Sequence, residues 1–236
     1  MKCKHFSLIP VICVVLLFTY ATAQRPNIVP QNKYGLTVIN TTQAYLSTVA
    51  ADSNNRMVAI KSYVSPLLAD LKYATAANFT NTVLYVHPRL MIRLPIAKAL
   101  QKVQQQLAWQ GLSLLFYDAY RPYAVTEKMW EIVPDEKYAA NPAKGSGHNR
   151  GIAVDVTLAS LTTGKEIAMP TAFDDFSEKA HHNYTKLDST VLANRLLLKT
   201  VMEQNGFTAL ATEWWHYYYT GASKAFALLD LPFEKL

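Results

Sequence analysis

Residues 94–122 read LPIAKALQKVQQQLAWQGLSLLFYDAYRP. In the first half Ile96, Leu100, Val103 and Leu107 recur at helical spacing, with Lys and Gln between them and Gly111 just past the end. Apolar residues three and four apart share one face of a helix, and a glycine beyond the last of them takes the left-handed turn that stops it. The pattern predicts an amphipathic helix over 94–110. Leu112 to Phe116 is then a short apolar run suited to a buried strand, which delivers Tyr117-Asp118-Ala119-Tyr120-Arg121-Pro122 to a strand end. Pro122 favours the start of another helix, through about Ile132.

Outward from this stretch, Gly151 to Leu158 alternates in part and is rich in β-branched residues, which predicts a second strand. A third helix is expected from an Asp188 cap through Val191, Leu196, Leu198 and Met202 to Asn205-Gly206. Phe207 to Tyr219, crowded with aromatics, reads as a final strand region. Strands and helices mix without regular βαβ alternation. The expected fold is α+β: a single domain with a central, largely antiparallel sheet flanked by helices and a cleft on the sheet.

The chain opens Met-Lys-Cys-Lys-His, runs through an apolar stretch from Phe6 to Tyr20 and reaches Ala21-Thr22-Ala23 before polar residues. That order predicts a secretory signal peptide over 1–23, cleaved after Ala23, and a periplasmic or secreted protein. The apolar stretch is shorter than the roughly 20 residues a membrane-spanning helix needs, so no stable membrane insertion is expected once the signal is removed. Residues 24–55, rich in Asn, Thr and Gln, read as a lead-in to a domain over 56–236.

Cys3 and Cys13 both lie in the signal, so a metal site in the mature chain must use His, Asp or Glu. Without Lys2 and Lys4 the basic residues fall from 23 to 21 against 17 acidic ones, a net charge of about +4. The excess is mild and dispersed, with no basic run or aromatic platform, and nucleic acid is not expected as a partner. The oligomeric state is not legible.

Beyond the signal the histidines are His87, His148, His181, His182 and His216. Two of them sit in acid-containing clusters. In Ser146-Gly147-His148-Asn149-Arg150-Gly151-Ile152-Ala153-Val154-Asp155 the glycines suit a turn entering a strand, so that His148 and Asp155 can return to one place. Alone, this also fits a turn histidine and an aspartate bonded to backbone. Glu213-Trp214-Trp215-His216 reads as a strand, in which residues three apart point to opposite faces, so a bulge would be needed to bring Glu213 and His216 together. An aromatic core strand is the equal alternative.

Together the clusters offer three ligands, His148, Asp155 and His216, and a carboxylate, Glu213, that need not bind. Catalytic zinc sites are built this way, with an open fourth position and a nearby base. One Zn2+ per chain is expected, with Glu213 as general base.

The pattern Ser-x-His-x-x-Gly-x-Ala-x-Asp at 146–155, followed by Glu-Trp-Trp-His at 213–216, resembles the VanX-type D-alanyl-D-alanine dipeptidases, zinc peptidases related to D,D-carboxypeptidases. Segments around Asp70 to Thr80, Tyr117 to Pro122 and Phe173 to Phe176 resemble the same family. The resemblance implies zinc-dependent hydrolysis of a small D,D-dipeptide, D-Ala-D-Ala, in wall turnover or dipeptide salvage. It also implies Arg121 as the cation stabilising the tetrahedral intermediate, Tyr73 and Asp174 as the holders of the substrate ammonium, and Ser146 beside the substrate carboxylate. His181, His182, Asp118 and Tyr120 read as supporting structure. A D,D-carboxypeptidase or other peptidoglycan peptidase with the same metal centre is the alternative, and a non-catalytic zinc-dependent binding domain is the alternative of another class.

Overall fold

A computed structural model describes Met1, residues 29–220 and residues 226–236 of the chain. Apart from Met1, the expected signal peptide lies outside the described residues. In chain order the elements begin with β1 (Val38–Ile39), α1 (Thr42–Ala51), β2 (Met57–Ala59), β3 (Leu68–Ala69) and β4 (Met91–Arg93). The quoted stretch follows as α2 (Leu94–Ala108) and β5 (Leu112–Asp118), then α3 (Tyr123–Ile132), a single helical turn α4 (Gly147–Arg150) and β6 (Ala153–Ser160). The chain closes with α5 (Ser189–Gln204), β7 (Phe207–Ala209), β8 (His216–Tyr219) and β9 (Leu228–Leu229).

The principal sheet has the order β3-β5-β6-β8-β7. Every pairing in it is antiparallel except β3 with β5, which is parallel, so the sheet is mixed. Gly111, at φ 71°, reverses the chain between α2 and β5. Gln104 on the buried face of α2 fixes the start of that strand: its Oε1 accepts from Leu114 N at 3.0 Å and from Ser113 Oγ at 3.2 Å. Helices α2 and α5 pack on the sheet. Ile96, Leu100, Val103 and Leu107 from α2, with Leu198 and Met202 from α5, meet Leu114, Phe116, Val154, Val156 and Leu158 in the main core. Each such apolar side chain taken out of water contributes about 1.5–3 kcal/mol before conformational entropy is set against it.

A second apolar cluster joins Ile39, Tyr45, Met57, Tyr73, Tyr85, Tyr120, Met129, Leu229 and Phe233. The described part of the lead-in, from residue 29 on, is therefore packed into the folded body. Strand β1 pairs in parallel with β9, and the Tyr45 hydroxyl accepts from Met57 N at 2.8 Å. Arg93, fully buried, donates through Nε to Arg150 O at 2.9 Å, through Nη2 to Ala227 O at 3.1 Å and through Nη1 to Asn55 O. One guanidinium thus ties the lead-in, α4 and the C-terminal segment together.

Two expectations need correction. Gly151 does not begin β6: at φ 68° it caps α4, so His148 sits in a helical turn before the strand. The Ser146 side chain accepts from Asn149 N, and Asn149 Oδ1 accepts from Ser146 N, a reciprocal cap that stabilises so short a turn. Phe207 to Tyr219 is not one strand but two, joined by a turn in which Glu213 N donates to Leu210 O and His216 N to Glu213 O. The aromatic run misled because Trp214 and Trp215, although buried, are held in a turn and not in the ladder.

Candidate active site

The site lies where β5, β6 and β8 run side by side. Asp155 on β6 is the register partner of His216 on β8 and, on its other side, of Asp118 at the end of β5. Partners directly opposite in a sheet present their side chains on one face. The pairing of β5 with β6 shifts between Phe116 and Asp118, leaving Tyr117 as the extra residue of a bulge. In an unbroken ladder Asp118 would fall opposite Val154, on the far face from Asp155; the bulge turns it to the same side.

His148 reaches this row from α4. Its Nδ1 lies 2.6 Å from Ala119 O. A carbonyl can only accept, so Nδ1 carries the proton and Nε2 presents its lone pair to the site. Nε2 is 3.3 Å from His216 Nδ1 and 3.4 Å from Asp155 Oδ2, and His216 Nδ1 is 2.9 Å from Asp155 Oδ1. The ligand atoms of His148, Asp155 and His216 all lie within 4.8 Å of one another. Two neutral imidazoles and a carboxylate are good donors for zinc, and their number leaves a coordination position open. Burial alone would raise the Asp155 carboxyl, but the His148 and His216 rings hold it below the usual range. The residues present fit the metal.

Around the three lies a cavity of about 210 Å³, whose walls include Tyr73, Arg121, Ser146, Asp174, Glu213 and Trp215. Every residue expected at the site from the sequence borders it. Arg121 is buried and held by Asp118, whose Oδ2 accepts from Nε at 3.0 Å and Nη2 at 2.8 Å. Burial disfavours its charge, yet Asp118 together with Tyr85, Tyr73 and Asp155 outweighs that and keeps the guanidinium protonated. Arg121 also stands 5.0 Å from the Tyr73 ring centre, and its backbone oxygen accepts from Asn149 Nδ2 at 3.0 Å.

Tyr73 donates its hydroxyl to Asp174 Oδ1 at 3.2 Å, while Asp174 Oδ2 is buried with no hydrogen-bond partner among the described residues. Burial pushes the Asp174 carboxyl up to about 7, with repulsion from Asp155 adding to it and Arg121 opposing. Burial likewise pushes Glu213 up to about 7, against the pull of His216. A carboxyl poised near neutrality beside a metal site can take and return a proton.

The carriers of this geometry were only partly visible in the chain. Asp118, expected as structural support, anchors Arg121 and also accepts from the Tyr85 hydroxyl at 2.6 Å and from Ala119 N at 2.9 Å. Tyr85, the Ala119 carbonyl and Asn149 carried no signal. Glu136 and Tyr138 also border the cavity, from a loop between Pro134 and Pro142 whose aromatic and acid could have marked it. His181 and His182 stay outside the cavity: His182 N donates to Ala211 O and His181 O accepts from Arg195 Nη1, as structural residues do.

Residues 53–233 match the Peptidase M15 family, described as D-ala-D-ala dipeptidase. The chain belongs to this family. Among curated members it is 35% identical over 148 residues to the D-alanyl-D-alanine dipeptidase of Escherichia coli (strain K12), covering 63% of this chain and 76% of that one. To the D-alanyl-D-alanine dipeptidase of Enterococcus faecium it is 33% identical over 183 residues, covering 69% of this chain and 91% of that one. The Peptidase M15 match begins inside the lead-in, at residue 53, in keeping with the burial of that segment against the second apolar cluster.

Proposed function

We propose that this Peptidase M15 member hydrolyses the dipeptide D-Ala-D-Ala to D-alanine, using one zinc ion held by His148 Nε2, Asp155 and His216 Nδ1. The observation that carries the reading is the convergence of those three donors beside a buried Glu213 and a charged, anchored Arg121. When bound, zinc supplies the Lewis acidity that makes water nucleophilic near neutral pH and polarises the scissile carbonyl.

Glu213 takes a proton from the attacking water and returns it to the amine that leaves. The Arg121 guanidinium, fixed from behind by Asp118, meets the negative charge that develops on the carbonyl oxygen; being already oriented, it needs no rearrangement at that moment. Asp174, ionised and steadied by the Tyr73 hydroxyl, holds the substrate ammonium. That contact also gives Oδ2 a partner, which it does not have among the described residues. Ser146, whose oxygen accepts from Asn149 N, keeps its own hydroxyl proton free to donate to the substrate carboxylate.

The predicted signal peptide supports a periplasmic or secreted location, where the substrate would come from wall turnover or from outside the cell. Substituting Glu213→Gln tests the mechanism: turnover of D-Ala-D-Ala should fall about 100-fold or more while zinc still binds one per chain. Retained turnover would overturn the assignment of the base. A panel of dipeptides of both chiralities tests the substrate, and preference for L,L over D,D would overturn it.

A further inference from the structure

Asp174 borders two cavities. Besides the one around the metal ligands, it lines a second of about 450 Å³, walled also by Lys72, Phe79, Tyr117, Glu166 and Phe173. No other residue is common to the two linings. Aromatic rings complete the wall between them: Phe79 meets Tyr73 and Phe176 of the first cavity at 6.2 and 5.8 Å between centres, and Phe173 meets Tyr73 and Trp215 at 5.9 and 5.5 Å. The Phe173 ring also stacks on Tyr117 of the second cavity at 4.5 Å. Three aromatic neighbours fix that ring, whereas Asp174 has a single short side chain.

We propose that Asp174 is a partition as well as an ammonium clamp, and that the second cavity is a latent subsite for the acyl part of N-acylated D,D-peptides. The inference rests on the reading of the first cavity as a D,D-dipeptidase site. A dipeptide whose amine is held at Asp174 points any N-substituent at this wall. The second cavity offers such a substituent apolar contact from Phe79 and Phe173 and a carboxylate from Glu166, whose Oε1 is already held by Tyr117 Oη at 2.6 Å and Thr157 Oγ1 at 3.1 Å. The group it suits therefore combines apolar and hydrogen-bonding parts, like a short peptide.

The backbone makes the test clean. Asp174 has φ 61°, in the left-handed region that glycine occupies freely and asparagine tolerates. Asp174→Asn keeps the bulk and removes the charge; Asp174→Gly removes both. Wild type and both variants, as zinc-loaded full chains, are assayed on D-Ala-D-Ala, N-acetyl-D-Ala-D-Ala and N-acetyl-glycyl-D-Ala-D-Ala. Asp174→Gly should exceed Asp174→Asn by about tenfold or more in kcat/KM on both acylated substrates, a span typical of steric discrimination in a pocket. Equal values overturn the partition. If turnover is too low to rank, equilibrium binding of the same acylated peptides to the two variants carrying Glu213→Gln decides: tighter binding to the glycine variant supports the subsite, and equal binding overturns it. A wild type inactive on D-Ala-D-Ala would indict the proposed reaction, whereas an active wild type beside an unresponsive Asp174→Gly indicts the partition alone.

Discussion

Asp118 and Asp155 face each other across β5 and β6 because the strand carrying Asp118 bulges at Tyr117. Two carboxylates on one face would repel, and Arg121 resolves this, bonding Asp118 Oδ2 at 2.8 Å and standing 3.9 Å from Asp155 Oδ2. The sheet defect thereby couples the row of His148, Asp155 and His216 to the Arg121 guanidinium.

Asp118→Ala should separate these roles. Removing one partner of a buried pair leaves an uncompensated charge and costs about 3–5 kcal/mol, read as a lowered Tm. With Arg121 adrift, kcat on D-Ala-D-Ala should fall about 100-fold or more. Zinc content, measured on the same preparation, should stay near one per chain, since the three ligands are untouched.

Zinc should stabilise the fold as well as enable the reaction, because a ligand that binds the native state alone adds free energy of folding. Stripping the protein with a chelator should lower its Tm and abolish activity, and added zinc should restore both. In His216→Ala the zinc-dependent rise in Tm should shrink sharply. An equal rise in that variant would place the metal elsewhere.

The pH dependence of substrate binding has a defined sign. Asp174 keeps its proton up to about 7, far above the ~3.9 of an exposed aspartate. An ammonium needs the ionised carboxylate, so KM for D-Ala-D-Ala should fall as pH rises through about 7. The same group works against stability: between the two values the folded chain binds more protons than the unfolded one, so its contribution declines as pH rises through that window. Asp174→Asn should raise KM and flatten its profile, which steady-state kinetics from pH 6 to 8 would show.

Gly151 should tolerate no side chain. At φ 68° any Cβ is strained, and here it would also come within 2.8 Å of Met57 Sδ. Gly151→Ala should cost roughly 1–3 kcal/mol, with weaker zinc binding because the turn that carries His148 ends at this residue. Thermal melts and zinc titration check both effects.

The helices were legible because α2 and α5 carry apolar spacing and end signals, and the convergence of His148, Asp155 and His216 was legible because histidines near carboxylates are scarce in the chain. The bulge was silent: nothing in Phe116-Tyr117-Asp118 reveals which residue drops out of a ladder whose partner lies about forty positions away. The turn holding His148 was equally hidden, since four residues give no periodicity and the glycines fit a loop as well as a helix cap. Glu213 reads as a strand residue because Trp and Tyr favour strands, although the same aromatics bury themselves from a turn. Tyr73 and Asp174, 101 residues apart, meet through packing that no local pattern encodes.

The three carbonyls gathered by Arg93 belong to Asn55, Arg150 and Ala227. The backbone of the histidine-bearing turn is thus clamped by a side chain whose own fixation depends on Ala227, 134 residues beyond it. A chain emerging from the ribosome, or threading through a translocation channel, cannot finish this clamp until Ala227 is free. The turn that carries His148 is in this way completed only once a segment far along the chain has folded back onto it.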